Sequence, residues 1–365
     1  MMKHVLKIGM VVTLTAVAGV TGAQSVVGTI KSVRGDVRIE RQGRALSARS
    51  GDAVQQRDRI LTGADSSAGI GFVDQSSIAV GAQSDVDLTR YSFNGTTHQG
   101  EQQVRVRSGS LASISGKMAK ASPEAVQFNA GTVTLGVRGT RFVIEAQRAG
   151  EPNVAYYWMA SGQTLRTGTG DCVGTSVASS SPVRSDCHPD RFVLLPDADG
   201  QVGRIVLQSG AQTLTVSEAY AGAVQGTGAL QPAAQSPAQV QSRYGQLLSA
   251  LPPQGKVFQL RFALGSATEL SQDSPHELDR LKNEVASWPV AADLNVVGHT
   301  DTVGSAAEND RLSLERANTV RKLLLDAGLP AERVRAFGRG ERELLVSTPD
   351  ETPHALNRRV EVILY

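Results

Sequence analysis

Aromatic side chains make up only 4% of the 365 residues. A core built from this chain must therefore rest on aliphatic strands and helices, with few large anchors. Charge of one sign is not concentrated anywhere. The formal net charge is +2, and Lys and Arg are dispersed rather than gathered in a stripe, which excludes the electrostatic footprint of a nucleic-acid binder. From Lys256 onward there are 14 Lys and Arg against 17 Asp and Glu, a net of −3. Patterns that carry catalysis are also missing. The chain has no Gly-x-Ser-x-Gly, no His-Glu-x-x-His, no phosphate-cradling loop and no Cys-x-x-Cys, and its six histidines are scattered. Gly338-Arg339-Gly340 lacks the third glycine and the strand-to-helix setting of a dinucleotide loop. These absences predict a protein that is not an enzyme, with no cofactor and no metal.

Long apolar runs are limited to the start. Lys3 and Lys7 precede an apolar stretch from Ile8 to Val20, too short to span a bilayer well, and Thr21-Gly22-Ala23 offers a small-residue cleavage site. Residues 1–23 therefore read as a secretory signal peptide cleaved after Ala23, with an uncleaved anchor as the alternative. No Cys follows the apolar stretch, which argues against an acylated lipoprotein. Export gives meaning to the two cysteines, Cys172 and Cys187. An even count in an oxidising compartment favours a disulfide, and a loop of that size would stabilise by about 3 kcal/mol. With only His188 adjacent, zinc-ligand spacing is not met.

From Val26 to about Ala146 the pattern is strands and turns. Val33, Gly35, Val37 and Ile39 alternate with polar residues, and Val86/Leu88 and Val104/Val106 do the same. Asn94-Gly95 marks a hairpin turn. Helical periodicity is nearly absent, so this part is expected to be all-β, a sandwich or a short solenoid-like stack. Strand-like pieces continue from 147 to 220 as a β extension carrying the Cys172–Cys187 loop. Tyr156-Tyr157-Trp158 is the one aromatic cluster, read as core or edge strand in preference to a sugar platform. Residues 221–255 are rich in Ala, Gln, Gly and Pro, with Arg243 their only charge. They read as a linker with a short helix at 240–251.

The C-terminal residues 256–365 change character. Val257 to Ala263 reads as a strand. Ser274, Pro275 and Glu277 suit the N-cap, first turn and capping box of a helix that Pro289 stops. Leu294, Val296 and Gly298 alternate as a strand, and Leu312, Val320, Leu323, Leu324 and Ala327 recur at helical spacing up to Gly328. Asp301 then lies in a strand-to-helix loop, and Arg316, fifteen residues on, about two turns into the helix. One carboxylate and one guanidinium suit the ammonium and carboxylate of a zwitterionic amino-acid head group. An isolated Asp at such a place is usually a cap, and an isolated Arg on a helix usually a solvated face.

The run Gly298-His299-Thr300-Asp301, Asn309, Leu312-Ser313, Arg316-Ala317 and Asn357-Arg358-Arg359-Val360 resembles the OmpA-like peptidoglycan-binding domain, shared with the Pal lipoproteins and the flagellar motor protein MotB. The likeness covers roughly 257–365 and implies an α/β sandwich. It also implies that Asp301 and Arg316 hold the diaminopimelate of a peptidoglycan stem peptide, with Thr300, Asn309, Arg358 and Arg359 lining or supporting the pocket. Glu308 stands where relatives often carry an aromatic. In the N-terminal part, Gly63-Ala64-Asp65-Ser66-Ser67-Ala68, Phe72-Val73-Asp74-Gln75-Ser76-Ser77 and Gly136-Val137-Arg138-Gly139-Thr140-Arg141-Phe142 resemble a FecR domain, over residues 24–146. Arg138 in it reads as a structural pin of a tight turn.

The resemblances imply a multidomain, non-catalytic periplasmic protein of a cell envelope with an outer membrane. It would bind peptidoglycan through 256–365 and present a FecR-like β domain to an unknown ligand or envelope protein. The alternative is a periplasmic signalling component that acts through a membrane partner.

Overall fold

The computed structural model describes residues 26–147, 154–157, 172–174, 183–187, 189–226, 229–263 and 266–365. The proposed signal peptide, Trp158 and His188 lie outside these residues.

The N-terminal unit is two β-sheets that share one long strand, Gly100–Ile114. In the first sheet, Val26–Arg34 pairs with Ser67–Phe72, which pairs in turn with Ser77–Val80; the far half of the shared strand, Arg141–Ala146 and Asp190–Leu195 continue the ladder. In the second, Val37–Arg41 pairs with Arg59–Thr62, followed by Asp85–Phe93, the near half of the shared strand, Val126–Ala130, Val133–Arg138 and Arg204–Ser209. The shared strand passes between sheets at Gly109, whose φ of +84° is open to glycine; a Cβ there would also collide with Ser84. Side chains from both sheets form one apolar core, including Ile30, Phe72, Val86, Phe128, Phe142 and Ile205. Aromatics are few, but Phe128 and Phe142 meet edge to face at 4.9 Å and Phe72 stacks on Tyr91 at 5.3 Å.

Several expectations change here. The alternation from Val33 to Ile39 is not one strand: Gly35, at φ +72°, turns the chain from the first sheet into the second. Asn94-Gly95 sits in a hairpin, but in a six-residue connection rather than a two-residue turn. The Asn94 carboxamide oxygen accepts from the amides of Thr96 and Thr97, and His98 supplies the positive φ.

The stretch 221–255 is not an extended linker. Ala221–Gln225 pairs with Asp190–Leu195, and Gln231–Ala234 pairs with Ala221–Gln225. Pro237–Ser249 is a helix, started by a Ser236–Gln239 capping box. Its Val240, Tyr244 and Leu247 cover Ala79, Ala112, Val143, Val193 and Leu195 on the outer face of the first sheet. The small residues on that face let the helix sit close, and Glu145 accepts from both Arg243 and Tyr244. The segment read as a β extension belongs to the same body, because Asp190–Leu195 and Arg204–Ser209 extend both sheets. A small separate ladder aligns Cys172 directly opposite Cys187.

The C-terminal unit is a four-stranded mixed sheet in the order Lys256–Arg261, Arg359–Leu364, Leu294–Gly298, Val334–Gly338. Leu294–Gly298 and Val334–Gly338 are parallel and joined by the helix Ala306–Asp326. One sheet face, with Leu260, Val296, Val360 and Val362, packs on Leu281, Ala317, Val320 and Leu324 from two helices. Gly328, at φ +96°, ends the longer helix. The first helix, Ser274–Ser287, starts differently from its sequence. The Ser274 hydroxyl does not cap it but donates to the Arg261 carbonyl and accepts from the Arg261 amide, fastening the helix to the strand. The second sheet face, with Val297, Ile363 and Tyr365, is turned toward the N-terminal unit.

The seam between the units is polar and buried. Lys31 Nζ, on the N-terminal unit, donates to Asp293 Oδ2 at 2.5 Å, the Tyr365 carbonyl at 2.7 Å and the Ala291 carbonyl at 2.9 Å. Burial pushes this ammonium down to about 8 against the pull of Asp293. Asn295 donates to the Val73 carbonyl, and Arg333 to the Gly51 carbonyl. No helix among the described residues is long and apolar enough to cross a membrane.

Candidate functional site

The site lies where the ends of two parallel strands meet the longer helix. Gly298 and Gly338 end those strands. A Cβ on Gly298 would collide with the Ser313 carbonyl, and one on Gly338 would come within 2.7 Å of the Leu314 amide. Glycine at both places lets the helix close on the sheet. That approach buries Asn309, Ser313 and Arg316 against the loop that follows Gly298. The helix is capped by a Ser305–Glu308 box, so Glu308 serves the helix start.

Asp301 is 6% exposed. Its Oδ2 accepts from Arg358 Nη1 at 2.7 Å and from the His354 amide at 3.1 Å. Arg316 is 3% exposed. Its Nε donates to the Ser266 carbonyl at 3.1 Å, its guanidinium lies 5.7 Å from the Phe262 ring centre, and its Nη1 has no partner. Burial lowers the affinity of Arg316 for its proton; Arg358 adds to this and Asp301 opposes it. Asp301, Arg316 and Arg358 are thus one electrostatic group. The carboxylate pairs with Arg358 and not with Arg316, which leaves Arg316 with an open donor in a desolvated place. Such a donor is costly unless an acceptor arrives.

The other expected residues divide. The Thr300 amide donates to the Gly340 carbonyl, and its buried hydroxyl has no partner. Asn309 Nδ2 donates to Glu341 Oε2 at 2.7 Å. Arg359 belongs to a different network, donating to Glu361 Oε1 at 2.7 Å and to the Glu343 carbonyl. Beside it, His299 is fully buried with neither ring nitrogen bonded; burial first, and then Arg359, push it down to about 3. The His299 ring is therefore neutral at physiological pH.

Sequence reasoning missed the loop 339–343. Gly340 accepts from Thr300, Glu341 holds Asn309, and the Gly340 amide donates to Ser313 Oγ. The other side of the same loop reaches the N-terminal unit: Arg339 donates to the Thr96 carbonyl, and Glu343 pairs with Lys117 at 3.1 Å. Gly338-Arg339-Gly340 had meaning on the sequence only as a failed nucleotide motif. The usable signal was two glycines bracketing an arginine at a strand end. Among the described residues no cluster of His, Cys, Asp or Glu could hold a metal ion.

Residues 261–358 match the OmpA family, and residues 58–156 match the family described as FecR protein. Outer membrane porin F of Pseudomonas fluorescens is 36% identical over 85 residues, 23% of this chain and 26% of that protein. The probable lipoprotein YiaD of Escherichia coli K12 is 39% identical over 99 residues, 27% of this chain and 45% of that protein. The chain thus spans less than half the length of these curated relatives. Among solved structures, the peptidoglycan-associated lipoprotein from Burkholderia pseudomallei is 23% identical, with a TM-score of 0.27, covering 30% of this chain and 90% of that one. The cell wall anchor of the T6SS from Pseudomonas aeruginosa is 24% identical, with a TM-score of 0.27, covering 34% and 96%. The protein is multidomain and mostly β-sheet, with an OmpA-like region at its C-terminal end.

Proposed function

We propose that this protein is a non-catalytic envelope protein that binds peptidoglycan non-covalently through residues 256–365 and presents its FecR-like unit to another envelope component. The observation that carries the reading is the buried Arg316 with an open Nη1 beside Asp301. A diaminopimelate-type residue supplies what Arg316 lacks: its carboxylate accepts from Arg316, while its ammonium shares Asp301 with Arg358. Thr300, whose hydroxyl is unsatisfied, lies next to Asp301, and Asn309 is held nearby by Glu341. Arg359 would support the fold of the site from its pairing with Glu361 and not touch ligand. The matching OmpA region supports association with the cell wall, and export by a cleaved leader would place the protein in the periplasm. The opposed register of Cys172 and Cys187 supports a disulfide there.

Co-sedimentation with purified sacculi tests the wall reading. Folded Asp301→Asn and Arg316→Ala proteins should remain in the supernatant where wild type pellets. If both pellet like wild type, this site does not hold the wall. The FecR match favours a second reading, a signalling component that relays an envelope event through a membrane partner. A receptor recovered by cross-linking, with no sacculus binding, would select it.

A further inference from the structure

Two motifs of the N-terminal unit have no part in the site above, Gln75-Ser76-Ser77 and Gly139-Thr140-Arg141. The fold brings them to one place. Together with Ser115 they line a cleft of about 750 Å³, within the usual size of ligand sites. Its base is firmly built. The fully buried Asp74 accepts from Ser76 Oγ, the Ser76 amide and the Tyr91 hydroxyl, and its own carbonyl takes the Lys117 amide. Thr140 and Ser115 are locked together: the Thr140 amide donates to Ser115 Oγ at 2.6 Å and the Ser115 amide to the Thr140 carbonyl at 3.0 Å.

Arg141 is an unsatisfied member, and Asp74 at the base keeps Oδ2 without a partner. The Arg141 Nε is shut off from water and has no hydrogen-bond acceptor. Burial lowers its proton affinity. Of the other cations lining the cleft, Lys31 is spent on Asp293 and Lys117 on Glu343, which leaves Lys120. Asp197 and Asp199 line the cleft as well; Asp197 Oδ1 accepts from the amides of its own turn. Free cations and carboxylates therefore balance. An anion would meet the two aspartates, and a cation would meet Arg141 and Lys120. A hydroxyl both donates and accepts at every position, and so meets neither penalty. Leu251, Pro252 and Val257 supply an apolar wall for the C–H face of a ring.

We propose that this cleft is a saccharide-binding site for neutral, hydroxyl-rich sugar units, distinct from the wall-peptide site at Asp301. Arg141 donates to a sugar oxygen, and Asp199 accepts from a hydroxyl.

The test uses the full mature chain and saturation-transfer NMR titrations with N,N′-diacetylchitobiose, maltose and D-glucuronate. The two disaccharides separate a wall glycan from other glycans. At least one disaccharide should bind, more tightly than glucuronate. Arg141→Gln should weaken it at least tenfold, and Asp199→Ala, at an exposed turn that leaves the fold intact, should weaken it severalfold. Asp301→Asn should leave sugar binding unchanged whether or not it abolishes sacculus binding. The proposal is overturned if no disaccharide binds, if both Arg141→Gln and Asp199→Ala bind like wild type, if glucuronate binds more tightly than either disaccharide, or if Asp301→Asn removes the sugar signal.

Discussion

Asp301 and Arg316 differ in what they already have. Asp301 is satisfied by Arg358 and the His354 amide, whereas Arg316 keeps an open donor. A charge-assisted hydrogen bond is worth about 1.5–3 kcal/mol, and 1.4 kcal/mol is one decade in affinity. Asp301→Asn and Arg316→Ala are each expected to weaken sacculus binding by about tenfold or more. The double variant should lose less than the product, because the two share one ligand. Isothermal binding to a soluble stem peptide would measure all three. His299 gives a different expectation. Its folded proton affinity is depressed to about 3 from 6.5, so between these values the unfolded chain binds the proton and the folded one does not. Its contribution is therefore fully present above pH 6.5 and lost as the pH falls toward 3. His299→Leu should show a smaller drop in melting temperature between pH 7 and pH 5 than wild type. An equal drop would mean that His299 is not the titrating group. That Asp301 and Arg316 share one electrostatic group was legible in the sequence, because each lies in a local, ordered motif. The Arg358 pairing was not, since Arg358 and Arg359 are adjacent and only the fold shows that one reaches Asp301 and the other Glu361.

The helix Pro237–Ser249 shows how composition can mislead. Ala, Gln and Pro with a single charge describe a tether as well as they describe a helix that lies on a sheet. The distinguishing feature is the spacing of Val240, Tyr244 and Leu247, which places three apolar residues on one face. Leu247 is 5% exposed, and truncating a buried leucine costs about 2–5 kcal/mol. Leu247→Ala should lower denaturant stability by at least 2 kcal/mol while leaving sacculus binding intact. A change under 0.5 kcal/mol would return this segment to the role of a tether. The C-terminal strands and long helix were readable because their periods are clean and Gly328 marks the stop. Ser274 was misread because a serine before proline caps a helix in isolation, but a nearby strand end competes for its hydroxyl.

Across the whole molecule, the joint between the units was the least legible feature. Nothing in the sequence marks Lys31, Asp293, Asn295 or Arg333 as buried, and their partners lie more than two hundred positions away. Lys31 and Asp293 have side-chain exposures of 0% and 2%. Removing Lys31 leaves Asp293 only the more distant Arg333 and Arg335, at 3.9 and 3.8 Å, and losing one member of a buried pair costs about 3–5 kcal/mol. Lys31→Met should therefore destabilise the chain by that amount and open the 252–256 region to limited proteolysis. Adding Asp293→Asn should recover part of the loss. A Lys31→Met protein as protease-resistant as wild type would mean that the joint does not depend on this pair. The loop 339–343 has a mechanical consequence. Gly340 and Glu341 fasten it to Thr300 and Asn309, and Arg339 and Glu343 fasten it to Thr96 in the hairpin and to Lys117 of the other unit. Tension applied at the Asp301 pocket would run through a five-residue strut straight into the N-terminal sheets, bypassing the covalent connection at 252–256. The chain is then braced like a bracket rather than strung like a leash, and whatever the N-terminal unit grips would be held at a fixed distance and angle from the Asp301 pocket.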